Sequence, residues 1–193
     1  MKKIISIVAT AATTFMSLSA ERSYACVETD DSSCFKRADG EVIPIEPAFE
    51  DYLYMYFDIC DVMHMECSYP VLMGDLGYNA VATRHPVGGE IIIYDRKLSS
   101  ISDPEVVIAH EMAHLKCQHL DWPRDEEHAH MAELQADRFA GAAMRLLGRP
   151  RDGLPSAYDF LKDQPSLSHP AKELRIEALL SGFDDPEAAR ECR

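Results

Sequence analysis

Two histidines four residues apart, in His110-Glu111-Met112-Ala113-His114, constrain this chain more than any other feature. An α-helix turns by about 100° per residue, so residues four apart lie only about 40° apart around its axis, one turn removed. On a helix both imidazoles leave the same side and can share one ion. The flanks favour a helix: Ser102-Asp103-Pro104-Glu105 has Ser and Glu three apart, the pattern of a capping box, with Pro suited to the first turn. The spacing predicts a helix running to about His119. Glu111 lies beside His110 and can reach a water on the ion without itself binding the ion, as metal-assisted hydrolysis requires.

An ion of that kind needs a third protein ligand, and Glu133-Leu134-Gln135-Ala136-Asp137 offers one. A second helix is expected from near Pro123 to Leu147, where Gly148 and Pro150 stop it. The intervening Asp121-Trp122-Pro123 turn lets it fold back on the first. Glu133 then completes the ligand set. Asp137, on the same face, can accept a hydrogen bond from a ligand imidazole and fix its tautomer. Ala136, Phe139, Ala140 and Ala143 make the neighbouring side apolar, so this helix packs closely on something. His119 would fall on the opposite face of the first helix and is assigned to packing. Cys117 falls on the ligand face, but Glu133 fits the spacing better. His128 and His130 diverge on a helix and read as solvated; His64 and His85 have no partners in sequence. Neither a Gly-x-Ser-x-Gly nor a Cys in a catalytic frame supports a covalent nucleophile.

The chain begins Met1-Lys2-Lys3, runs apolar from Ile4 to Leu18 and then reaches Ser23-Tyr24-Ala25. This is the pattern of a secretory signal peptide over residues 1–25, with cleavage after Ala25 or, alternatively, Ala20. The apolar run falls short of the ~20 residues that a membrane span needs, and no later run is long or apolar enough. All six cysteines (26, 34, 60, 67, 117 and 192) lie beyond it, and an even count in an exported chain favours disulfides. The short loops Cys26–Cys34 and Cys60–Cys67 are expected, leaving Cys117 with Cys192. A zinc knuckle is excluded, because no Cys-x-x-Cys pair exists. Residues 26–45 read as an irregular arm and 46–193 as a single domain. In that domain a helix starts at Pro47 and carries Phe49, Tyr52, Leu53, Tyr56, Phe57, Cys60 and Met63 at helical spacing. Val71–Met73, Asn79–Thr83 and Glu90–Tyr94 read as short strands. Further helices are expected at Ser156–Lys162 and Ala171–Leu180. The fold class is α+β, mainly helical with a small three-stranded sheet. The 33 acids against 19 bases, a formal charge of −14, exclude a nucleic-acid partner and electrostatic binding to anionic lipid.

With these motifs in order, the sequence resembles the gluzincin zinc endopeptidases that include HtpX, the CAAX prenyl proteases and the BepA-type periplasmic proteases. Asn79-Ala80 and then Gly89-Glu90-Ile91-Ile92-Ile93-Tyr94 are similar to the family's Asn-Ala strand and the edge strand after it. His110 to His114 with His119 resembles its zinc-binding helix and trailing His. Glu133 to Asp137 resembles its second ligand helix, and Ser168-His169-Pro170 with Glu173-Leu174-Arg175-Ile176 its late His-Pro and Arg-Ile motifs. The match spans about residues 46–181 and lacks the transmembrane helices and helical-repeat tail of some members.

The resemblance implies a zincin-like domain whose edge strand borders the active-site helix. It implies one Zn²⁺ per chain on His110, His114 and Glu133, with Glu111 as general base. It places His169 near the metal, as donor to the oxyanion or as a cover for the site, and Arg175 as the residue that orients that loop through a carboxylate. Protein or peptide substrates would pair as a strand with Glu90, Ile91, Ile92 and Ile93. The expected function is zinc-dependent peptide hydrolysis in the periplasm or outside the cell, with no membrane span after signal cleavage. The alternative is a catalytically silent, chaperone-like holder of unfolded chains, which would have no use for Glu111.

Overall fold

The computed structural model describes residues 33–37, 40–85, 89–159, 161 and 163–192. The expected signal segment, 1–25, and Cys26 lie outside them. The fold is α+β, about 53% helical with small sheets, so most of the core is built between helices. Strands β1 (Cys34–Lys36) and β2 (Val42–Pro44) pair antiparallel as a ribbon, so the stretch expected to be an irregular arm is partly sheet. Strands β3 (Glu46–Pro47), β4 (Val71–Gly74), β5 (Ala80–His85) and β6 (Gly89–Asp95) form one four-stranded sheet in the order β3-β4-β6-β5. Pro47 lies in an edge strand, where its missing N–H is tolerated, and helix α1 starts only at Glu50 and runs to Met63. Tyr52, Tyr56, Ile59, Cys60 and Met63 form its buried face. Tyr54 and Phe57, between those positions, are exposed.

The sheet order corrects one expectation. The strand holding Glu90, Ile91, Ile92 and Ile93 is interior: β6 pairs in parallel with β4 and antiparallel with β5. Ile91 to Tyr94 are all buried, the mark of a strand covered on both faces. Of the sheet's two edges among the described residues, β3 and β5, the one beside α2 is β5. Asp95 N–H donates to Asn79 carbonyl, which sets the alternation. Val81 and Thr83 therefore turn their main-chain groups toward β6, and those of Ala80, Ala82 and Arg84 face outward.

Helix α2 (Pro104–Lys116) is buried along nearly its whole length, between this sheet and helix α3 (Glu126–Leu146). The expected capping box does not form. Asp103, not Ser102, is the N-cap; it is left-handed, with φ 52°, and makes no side-chain cap, and Glu105 is taken by Arg149. Helix α3 starts later than expected, at the Asp125 cap, whose side chain accepts from His128 N–H. Residues 151–158 form a 3-10 stretch in place of the helix expected at 156–162, of which Phe160 and Lys162 lie outside the described residues. Helix α4 (Lys172–Asp184) packs on α3, and the short α5 (Pro186–Ala189) follows it. Disulfides join Cys60 to Cys67 and Cys117 to Cys192. Such bonds suit an oxidising, extracellular setting. Among the described residues no helix is long and apolar enough to cross a membrane.

Candidate metal centre

Because α2 is central, its polar residues are buried polar residues, and each must find a partner. His110 and Glu111 are each less than a tenth exposed. The partners of His110 come from α3, four residues apart on its inner face, and from α4, whereas that of Glu111 comes from β5. His110 Nε2 and His114 Nε2 lie 3.0 Å apart. Glu133 Oε2 is 3.5 Å from the first and Oε1 is 3.4 Å from the second. The three residues form a buried group that could hold a metal ion. Glu133 Oε2 is buried and accepts no hydrogen bond among the described residues. Arg175 Nη1 stands 3.1 Å from it, close enough to attract but not aligned to donate.

Asp137 sits one turn further along α3, fully buried, and collects donors. His110 Nδ1–H donates to its Oδ1 over 2.9 Å, so in the neutral His110 ring the bare nitrogen is Nε2. Arg175 donates to both oxygens, Nε to Oδ2 and Nη2 to Oδ1, at 2.9 Å each. Tyr158 O–H donates to Oδ1 as well. Burial alone would raise the Asp137 carboxyl's pKa; Arg175 and His110 outweigh burial and hold it below the ordinary range. Glu133 follows the same logic, with His110 as the largest opposing influence. In the metal-free chain burial works to lower His110, yet Asp137 and Glu133 push it up to about 10. Metal uptake would therefore displace a proton.

Arg175 engages Asp137 and Glu133 directly. The 166–169 loop is held by its own contacts and by His130 Nε2, which meets the Ser166 carbonyl at 2.8 Å. Ser168 Oγ lies 2.8 Å from His169 Nδ1, and His169 N–H donates to Ser166 Oγ. His169 Nε2 faces Glu133 Oε2 at 3.8 Å, with its side chain about half exposed. Burial and the Arg175 charge hold this imidazole below its usual pKa, against the pull of Glu133.

Ala82 N–H, on the outward side of β5, donates to Glu111 Oε2 at 2.6 Å. Helix and open edge are thereby joined at the residue expected to act as base. A cavity of about 330 Å³ lies along this seam, walled by Asn79 to Ala82, His110, Glu111, His114, Glu133, His169 and Arg175 among others. Glu90, Ile91, Ile92 and Ile93 do not line it.

Three neighbours were not foreseen. Tyr158 carries no motif. Gln135 lies inside the Glu133–Asp137 motif but was given no role. His119 was assigned to the far face of α2, which presumes an unbroken helix. Instead α2 stops at Lys116, Gln118 turns left-handed with φ 56°, and a 3-10 turn folds His119 back onto His114. The two Nδ1 atoms are 2.9 Å apart. Cys117 is committed to its disulfide and is no ligand. His128 packs against Asp125, and His130 reaches the Ser166 carbonyl.

No family model, no curated protein and no solved structure matches the chain.

Proposed function

We propose that this protein is a zinc-dependent endopeptidase of the gluzincin type, exported and active in the cell envelope or outside the cell. The observation that carries this is the convergence of two imidazole nitrogens and one carboxylate beside an open strand edge. A tetrahedral ion with ligand bonds of ~2.0–2.1 Å separates neighbouring donors by roughly 3.3 Å. The 3.0, 3.4 and 3.5 Å separations around His110, His114 and Glu133 bracket that value. Two His and one Glu, with a cavity on the remaining side, match a catalytic zinc set rather than a closed structural one. The unsatisfied Glu133 Oε2 supports the same reading.

Zinc held there supplies Lewis acidity, lowering the pKa of water from about 16 to about 7 and polarising a carbonyl. Glu111 takes the water's proton and delivers it to the leaving amine. The Ala82 N–H fixes one of its oxygens in place for that task. His169, with Nδ1 engaged by Ser168, offers Nε2–H to the developing oxyanion. A substrate strand adds to the outward main-chain groups of Ala80 and Arg84 and to the Ala82 carbonyl, gaining affinity from main-chain bonds and little sequence specificity.

Zinc content and casein cleavage, with and without chelator, test the proposal. Glu111→Gln should keep about one zinc per chain and lose cleavage by at least 100-fold. A chain without zinc, or a Gln variant that cleaves casein normally, would refute it.

A further inference from the structure

Each ligand imidazole must offer a bare Nε2 to the metal, so each must carry its proton on Nδ1. For His110 the acceptor of that proton is Asp137. The corresponding acceptor for His114 is another imidazole, His119, 2.9 Å away. A contact between two ring nitrogens holds one proton, which can belong to either ring. The choice is made one step further out, where His119 Nε2 meets Gln135 Oε1 at 2.6 Å.

We infer that His119 and Gln135 form a positioning relay that sets the tautomer of His114 and so its competence to bind metal. This rests on the zinc reading above. An amide oxygen can only accept, so His119 carries its proton on Nε2 and gives it to Gln135. His119 Nδ1 is then bare and accepts from His114 Nδ1–H. His114 Nε2 is left as a lone pair facing His110 Nε2 and Glu133. If Gln135 presented its NH₂ instead, every proton would move one place. His119 would donate to His114, and His114 Nε2 would carry a hydrogen where the metal belongs. The relay is buried on the His119 side, where Trp122 covers the ring with centroids 4.6 Å apart. Gln135 sits midway between Glu133 and Asp137, so one stretch of α3 supplies a ligand and the outermost partner of each imidazole.

The test measures zinc affinity by competition with a chromophoric chelator, together with the visible spectrum of the cobalt-substituted protein. His119→Asn places an Oδ1 acceptor close to where His119 has Nδ1, and should keep affinity within about threefold of the wild type. His119→Leu fills the space but accepts nothing, and should weaken zinc about 10- to 100-fold, the usual effect of losing such a partner. A residue that only packs under Trp122 predicts the reverse order, with Leu tolerated and Asn damaging; that order overturns the inference. Gln135→Glu, an obligate acceptor, should bind zinc at least as well as the wild type. Gln135→Leu should lose affinity and alter the cobalt spectrum while His119 remains, so the test survives if His119→Leu does not fold. Equal affinity for the Glu and Leu variants would refute the relay and leave the zinc site standing. Absence of zinc from the wild type would remove both.

Discussion

Asp137 shows how much of the site rests on a residue that touches no substrate. It fixes His110's tautomer and neutralises Arg175, and Tyr158 adds a third donor to its Oδ1. Asp137→Asn keeps an acceptor for His110 but strips the buried guanidinium of its main counter-charge. Zinc affinity should fall about 10- to 100-fold, and denaturant unfolding should show a loss of about 3 kcal/mol, typical of breaking a buried pair. The pH dependence has a definite sign. The folded Asp137 pKa is depressed, so its contribution is complete above about pH 4 and is lost as pH falls through the folded value. The wild-type and Asn stability curves should converge in acid. Parallel curves down to the lowest accessible pH would show that the charge contributes nothing.

Helices α3 and α4 meet at two glycines, Gly141 and Gly182, whose missing side-chain space is filled by the backbone of the opposite helix. A Cβ on Gly182 would stand 1.9 Å from the Arg138 carbonyl oxygen, and one on Gly141 would stand 1.9 Å from that of Leu179. Both obstacles are backbone, which cannot step aside. Seven residues before Gly182, on the same face of α4, is Arg175. Gly182→Ala should therefore push α4 outward, cost on the order of 3 kcal/mol and lower zinc affinity in the same variant. Gly153→Ala, whose nearest neighbour is 3.9 Å away, is the control. The sheet gives a contrasting case. Ile92 is fully buried in β6 with strands on both sides, and its N–H donates to the Pro70 carbonyl. Ile92→Pro should abolish the native circular dichroism along with zinc and cleavage. A folded, zinc-loaded Pro variant would mean that β6 is not the interior strand.

For the whole molecule, the long disulfide ties the segment after α5 to the C-terminal end of α2. Cys117 caps α2 three residues after His114, and Cys192 is 75 residues away in sequence. A loop of that length restricts the unfolded chain by roughly 4 kcal/mol in the loop-entropy account. Cys192→Ser should lower the thermal midpoint by on the order of 10 °C, and a reducing agent should do the same to the wild type. A shift under 2 °C would mean that the packing of α4 on α3 already holds the C-terminal segment.

The amino-acid sequence by itself determined two pairs, His110 with His114 and Glu133 with Asp137, from which the buried group that could hold a metal ion is built. The i, i+4 spacing of His110 and His114, and of Glu133 and Asp137, is a local property of a helix and needs no knowledge of its surroundings. The Cys60–Cys67 loop was legible for the same reason, since seven residues cannot wander far. What sequence left open was decided over long distances. Strand order is not encoded in a period-2 pattern, and β6 inserts between β4 and β5 only because the chain returns from the β5–β6 hairpin to pair with an earlier strand. The unbroken buried run Ile91 to Tyr94 was the available sign that Glu90 to Ile93 would not be the edge. Arg175, Tyr158 and Ala82 reach the site from 38, 21 and 55 residues away from Asp137 in sequence, and no local pattern ties a residue to a partner at such range. His119 failed differently. Helical spacing does not hold past Gln118, which turns left-handed one residue before His119, and that single backbone angle folds His119 onto His114.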